Sequence, residues 1–312
     1  MKILRGKNSG AGKRLFSGFG KQLYKYRFLY FLLLPAIVLT LIFHYLPYWG
    51  LRIAFQNYNI FKPETSTWCG FDNFIKVFQT EGLIKSIGNT LYISLLSLII
   101  CFPANIIFAL LLNEITNSTF KKIIQTTSYL PHFLSWISVI GIVTSLYAST
   151  GIINDIREFF GLPRIMLMAE QGLFVPNIII LTLWKGVGWG SIIYLAAIAG
   201  VPGDLYEAAE LDGANRLQQA IHITLPSIMP TVVIMLIWRL GSLFGDNFEL
   251  VYGLKNAYID FDVISTIIFE RGIQGGEYAL TTAFGLANSV VALILILLSN
   301  AFAKKVTDVG IF

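Results

Sequence analysis

Charge is what this chain has least of. Only 13% of its 312 residues are Asp, Glu, Lys or Arg, about half the share of a soluble domain, too few to clothe a water-exposed surface. Histidine and cysteine are also scarce. His44, His132 and His222 stand in different segments, which gives no metal cluster and no base beside a nucleophile. Cys69 falls in a predicted outer loop and Cys101 inside a predicted span, so no disulfide is expected, and neither has a metal-ligating neighbour. Internal repeats and low-complexity linkers are missing as well.

Apolar residues take up the difference, at 55% of the chain with 14% aromatic, which is the composition of a polytopic membrane protein. The few charges cluster. Uncharged intervals run from Arg27 to Arg52, Lys85 to Glu114, Lys122 to Asp155, Arg216 to Arg239 and Glu277 to Lys304, each with room for the roughly 20 apolar residues that cross a bilayer. A sixth stretch, about 173 to 198, is interrupted by Lys185 and has a glycine-rich centre at Gly186, Gly188 and Gly190. It counts as a span, because an odd number would put the termini on opposite sides. The expected fold is all-α, with six transmembrane helices.

Residues 1 to 27 carry eight Lys and Arg and no acid, and the positive-inside rule assigns this end to the cytoplasm. Six spans return Lys304 and Lys305 to the same side, and twelve of the 18 acids fall in the outer loops around 47 to 85, 148 to 170 and 246 to 277. The chain is expected in the cell membrane with both termini inside. The first apolar stretch lacks a small-residue cleavage site and reads as a retained helix. The basic tail suits anionic membrane lipid, not nucleic acid. Gly6 to Arg14 does not make a phosphate loop, because Lys7 stands where its first glycine should and Arg14 replaces the Ser or Thr.

The loop from 199 to 226 is the exception to the charge rule. Cytoplasmic by parity, it holds Asp204, Glu207, Glu210 and Asp212 against Arg216 alone. Asp204 is positioned to cap a short helix with Glu207 three residues on, and Ala208, Ala209 and Leu211 give that helix an approachable apolar side. Gly213 breaks it. A second short helix, about 215 to 223, should lead to Leu225-Pro226, the proline suiting the first turn of the fifth span.

These residues carry a resemblance. Glu207-Ala208-Ala209, Asp212-Gly213-Ala214 and Ile223-Thr224-Leu225-Pro226 resemble the EAA signature of permease subunits of binding-protein-dependent ABC importers. Trp184-Lys185-Gly186, Gly188-Trp189-Gly190, Tyr194 to Ala197, Asn247-Phe248-Glu249 and Asp262 to Thr266 look like the LplB-like polysaccharide and oligosaccharide branch of the maltose-type group. The pattern departs at Leu217, Ala220 and Ile221, where larger aromatics are common.

The resemblance implies a type I importer fold: a basic segment 1–27, a six-span permease domain 28–303 and a cytoplasmic tail 304–312. It implies a coupling helix in which Glu207, Ala208, Ala209, Asp212, Gly213, Leu225 and Pro226 serve docking on a cytoplasmic ATPase dimer. A second homologous permease, an extracellular solute-binding protein and an oligosaccharide cargo complete the machine. ATP and magnesium would belong to the ATPase, and this chain would bind no cofactor or metal. For the transport path, Lys185 and Arg239 are ionisable groups inside spans, with Asp246 and Glu249 as partners for Arg239. Trp184, Trp189, Asn247, Glu249 and Asn288 supply the aromatic faces and amide or carboxylate groups that bind sugars. Another small solute as cargo, or a membrane enzyme acting on lipid-linked sugars, stays open. The outer acids Asp260 and Asp262 read as solvated charges or as contacts for a docking protein.

Overall fold

The structure is a computed structural model and describes residues 25–245 and 247–307. The basic tail before residue 25, Asp246 and residues 308–312 lie outside that description. Two units are distinguished, 1–53 and 54–312. Among its described residues the first has α1 (Arg27–Thr40), a π-helical turn at Leu41–Tyr45 and most of a 3-10 segment, Leu46–Phe55.

Among the described residues, six helical stretches are long and apolar enough to cross a membrane: Arg27–Phe55, Glu81–Glu114, Trp136–Phe159, Gln171–Ile198, Arg216–Gly241 and Tyr278–Phe302. All six expected spans are there. In the second unit a short antiparallel ribbon, β1 (Gln56–Asn57) with β2 (Thr67–Trp68), precedes α2 (Asp72–Gln79). Buried Asn73 fastens the two, donating its amide to the carbonyls of Ala54 and Gln56 at 3.0 Å each. The second span is α3 (Glu81–Glu114), whose 34 residues reach about 50 Å at 1.5 Å per residue. It is longer than the hydrocarbon core is thick.

The third span is interrupted. A helix ahead of it, α4 (Ser118–Tyr129), leads through a 3-10 turn at Leu130–Phe133 into α5 (Trp136–Tyr147), which stops before α6 (Ile152–Phe159). Ser135 caps α5 by accepting from Ser138 N–H at 3.2 Å, as its place before the apolar run favours. The fourth span is α7 (Gln171–Ile198), followed by α8 (Asp204–Leu211), α9 (Arg216–Gln219) and α10 (Leu225–Gly241). The chain ends with α11 (Phe248–Leu254), α12 (Ile264–Ile267) and α13 (Tyr278–Thr307).

Three apolar clusters hold the second unit together. Ile93, Val139, Ile178 and Leu250 join α3, α5, α7 and α11, and Val77, Leu83, Ile264 and Phe284 join α2, α3, α12 and α13. Ala109, Tyr194, Ile228 and Val232 join α3, α7 and α10. The glycines of α7 explain how closely its neighbours come. A Cβ on Gly188 would lie 2.2 Å from the Ser128 carbonyl oxygen of α4, and one on Gly190 would lie 2.4 Å from the Asn105 amide of α3, whereas Gly186 faces open space. Small residues at such crossings let helix backbones meet.

The acids expected in the outer loops are not all solvated. Lys255 joins Asp262 and, at 2.8 Å, Glu270 in a partly buried cluster, and Thr266 also donates its hydroxyl to Asp262. Burial disfavours the Lys255 ammonium, but hydrogen bonds to Asp262 and Glu270 outweigh that and raise its pKa. Asp262 is therefore a structural charge, because a carboxylate taken from water needs this pairing. Asp260 is 84% exposed and pairs with Lys85 at 2.6 Å.

Candidate functional site

The loop between the fourth and fifth spans forms a small two-helix knob. Gly203, not Asp204, is the N-cap of α8, and no side chain caps it. The capping box expected at Asp204 and Glu207 stands instead at Asn215 and Gln218, where each side chain accepts from the other's backbone N–H at 2.9 and 2.8 Å. Asn215 is extended, at φ −76° and ψ 167°, the conformation a capping side chain needs, while Gly203 is already helical. That difference decides which end is capped.

Gly213 closes α8 as expected. Its φ is +79°, its N–H donates to the Glu210 carbonyl at 3.0 Å, and the Ala214 N–H donates to the Ala209 carbonyl at 2.9 Å. This pair of bonds is a Schellman motif, which requires a left-handed residue at Gly213. Residues 223 to 226 lead into the fifth span as expected, with Pro226 in the first turn of α10, and no break separates the second knob helix from that span. α9 runs through a π-helical turn, Ala220–Thr224, directly into α10. Pro226 supplies no N–H, and its ring would crowd the carbonyl four residues back; the wider turn just ahead of it keeps the helix whole.

Two ties fix the knob to the membrane helices. The Tyr206 and Thr224 hydroxyls share a 2.9 Å hydrogen bond, with Thr224 buried. Arg216 of α9 reaches the end of α3, donating to the Glu114 carbonyl at 3.2 Å with the carboxylate 3.5 Å away. Tyr206→Phe is expected to cost about 1 kcal/mol, the net worth of one such bond. Thermal unfolding of the purified protein measures it, and a variant as stable as the parent would remove Tyr206 from the knob's support.

The residues singled out from the sequence divide here. Ala209, Asp212 and Gly213 line a hollow of about 320 Å³ with Gln218 and His222, whereas Glu207 and Ala208 face outward. Leu225 packs in the cluster around Tyr194, and Pro226 is exposed at the foot of α10. Leu205, Ala208 and Leu211 recur every three residues along α8, with Leu205 46% and Leu211 90% exposed. Leu217 and Ile221 add 68% and 49% exposed apolar side chains, while Ala220 is buried. An apolar ridge on an otherwise polar knob marks a contact surface.

The second feature is a cavity of about 730 Å³ between the spans. Arg239, Asn247 and Glu249 line it together with Ser97, Thr182 and Trp136. A smaller cavity, about 300 Å³, shares Thr182, Arg239 and Ser242 and adds Cys101 and Asn105. Arg239 occupies the last turn of α10, where the helix dipole favours a cation. Among the described residues it forms no ion pair, so Glu249 is not the partner expected for it. Asp246, the other expected partner, lies outside the described residues.

Asn247 caps α11 by accepting from Leu250 N–H at 3.2 Å. Lys185 lies outside the cavity lining: it donates to the His132 carbonyl at 3.0 Å and stands 4.8 Å over the Trp136 ring. Trp189 stacks flat on His132 at 4.3 Å. Trp184 is exposed. Asn288 meets the Phe244 carbonyl at 3.5 Å. None of these last three lines the larger cavity.

Sequence reasoning missed Trp136 and the hydroxyls. One signal was legible: Ser86, Thr90, Ser94 and Ser97 of α3 are spaced by four, four and three and all are buried. The same face continues to Cys101 and Asn105, giving one polar seam that borders both cavities.

Comparison with known proteins bears on both features. Residues 101–308 match the family described as binding-protein-dependent transport system inner membrane component. The polygalacturonan/rhamnogalacturonan transport system permease protein YteP of Bacillus subtilis (strain 168) is 40% identical over 295 residues, covering 93% of this chain and 92% of that one. Protein LplB of the same organism is 40% identical over 290 residues, covering 92% and 91%. A crystal structure of a bacterial ABC transporter involved in the import of the acidic polysaccharide alginate contains a chain that superposes with a TM-score of 0.85 at 40% identity, covering 93% of this chain and 99% of that one. Six apolar spans, a Schellman-closed knob before the fifth of them and relatives of nearly equal length agree, and the chain belongs to the binding-protein-dependent inner membrane components: it is a multi-pass ABC importer permease, a transport subunit and not an enzyme.

Proposed function

We propose that this permease moves an oligosaccharide inward by alternating access, driven by a separate ATPase that grips the knob. The observation that carries this reading is the exposed ridge Leu205, Ala208 and Leu211, on a helix closed by Gly213 and continued without a break into the fifth span. A force on that ridge acts on the fifth span through helix and on the fourth through the turn at 199–203. ATP and magnesium belong to the partner, and a second homologous permease faces the cavity from the other side. Outside the cell a solute-binding protein delivers cargo; one solved relative is an alginate importer in complex with a pentasaccharide-bound periplasmic protein. The carbohydrate cargo rests on such relatives and on the hydroxyl, amide and aromatic lining of the cavity. The reading puts both termini and the knob in the cytoplasm.

Leu211→Cys, in a chain whose Cys69 and Cys101 are changed to Ser, tests the docking and the topology together. It is expected to crosslink to the ATPase in everted vesicles and to resist an impermeant maleimide applied to whole cells. Labelling from outside would reverse the topology, and absence of any ATPase crosslink in the assembled complex would discard the docking role.

A further inference from the structure

We infer that Arg239 and Trp136 form a subsite for one acidic sugar of the passing chain, the guanidinium receiving its carboxylate and the indole its ring face. The inference rests on the saccharide cargo proposed above and names its class: uronate-containing. A guanidinium within a membrane span is expensive unless it meets an anion, and no carboxylate pairs with Arg239 among the described residues. It faces space instead, on the wall common to both cavities. Its planar fork of donors matches a carboxylate in two parallel bonds, which a lysine could not supply.

Trp136 provides the second contact. One face of its ring carries the Lys185 ammonium at 4.8 Å, while the residue also lines the larger cavity, so a pyranose can meet only the remaining face or the edge. Lys185 is held from behind by the His132 carbonyl, which keeps the indole in place and adds positive potential to the same wall. Ser97, Thr182 and Asn247 supply hydroxyl and amide groups for the sugar's hydroxyls. At about 730 Å³ the cavity is of ligand size. Glu249 is the one acid of the lining among the described residues and forms no ion pair with Arg239. It opposes a second carboxylate, so the cavity takes acidic sugars in one register.

Cys101 lines the smaller cavity beside Arg239 and serves as a reporter. In the assembled importer carrying Cys69→Ser, alkylation of Cys101 by maleimide is followed with tetragalacturonate and with its carboxyl-reduced, neutral counterpart. The acidic probe is expected to protect at a concentration about tenfold lower, the scale of one charge-assisted hydrogen-bond pair. Arg239→Gln should erase that difference and Arg239→Lys restore part of it. In proteoliposomes supplied with the binding protein, tetragalacturonate imported per ATP hydrolysed should fall about tenfold for Arg239→Gln. A merely structural arginine would lower both rates together and leave the quotient as it was, which overturns the subsite. Equal protection by the two probes in the parent protein also overturns it while the saccharide cargo stands. If neither probe protects Cys101 or is imported, the cargo reading itself falls.

Discussion

Gly213→Val abolishes ATP-driven uptake, to tenfold or more below the parent, while the protein reaches the membrane in normal amount. The position has open space where a Cβ would go, so no collision is involved. The whole effect comes from backbone torsion. At φ +79° a β-branched residue pays about 1–3 kcal/mol, and the cheapest relief is to unwind the last turn of α8. That turn carries Leu211 and Asp212, and it aims the chain at Asn215, whose capping box starts the next helix. Asn visits left-handed backbone more readily than other non-glycine residues, so Gly213→Asn should retain most uptake, with Gly213→Asp between the two. The order Asn, Asp, Val is the test. Valine uptake equal to asparagine would mean that the Schellman turn has no part in coupling, and loss in all three would point to side-chain bulk in the docked state.

Gly188→Ala loses fold stability where the nearby Gly186→Ala does not. The added methyl at 188 would sit 2.2 Å from the Ser128 carbonyl oxygen and 2.5 Å from its carbon. Both are backbone atoms of α4, unable to rotate aside. Either α4 lifts from α7 or the helices bend, at the cost of about 1–3 kcal/mol usual for overpacking, and larger side chains should prevent assembly. Gly186 meets nothing within 4 Å. Gly190 is intermediate, since its obstacle is the amide end of the Asn105 side chain. Thermal unfolding in detergent should rank the alanine variants 188, 190, 186 from least to most stable. Equal melting of 188 and 186 would show that the close crossing is not what the glycine serves.

Five of the six spans were legible because charge is so costly in lipid that its gaps outline the helices, from the interval opening at Arg27 to the one opening at Glu277; the other, interrupted by Lys185, was counted by parity. The turn at Gly213 was legible for a similar reason, since few residues but glycine settle there. What sequence did not disclose depends on backbone state or on neighbours distant in the chain. Asp204 and Glu207 have capping chemistry, yet the residue before them is already helical. Pro226 signals a helix start, but a π turn ahead of it absorbs the missing donor. Asp262 looks like a loop charge until Lys255 and Glu270 fold around it. Trp184 and Trp189 resemble sugar platforms by composition, yet Trp136 from another span lines the cavity. Only the hydroxyl seam from Ser86 to Ser97 could have been read in advance, from its helical spacing.

The unbroken helix from Arg216 to Gly241 has a consequence for gearing. Twenty-three positions separate Arg216 from Arg239, about 35 Å at 1.5 Å per residue. If such a rod pivots as a rigid body by about 10° about its foot, the guanidinium sweeps about 6 Å, more than the length of a hydrogen bond. A modest swing imposed from the ATPase would be enough to pull the cation off a bound carboxylate, so the stroke that reopens the path would also release what it holds.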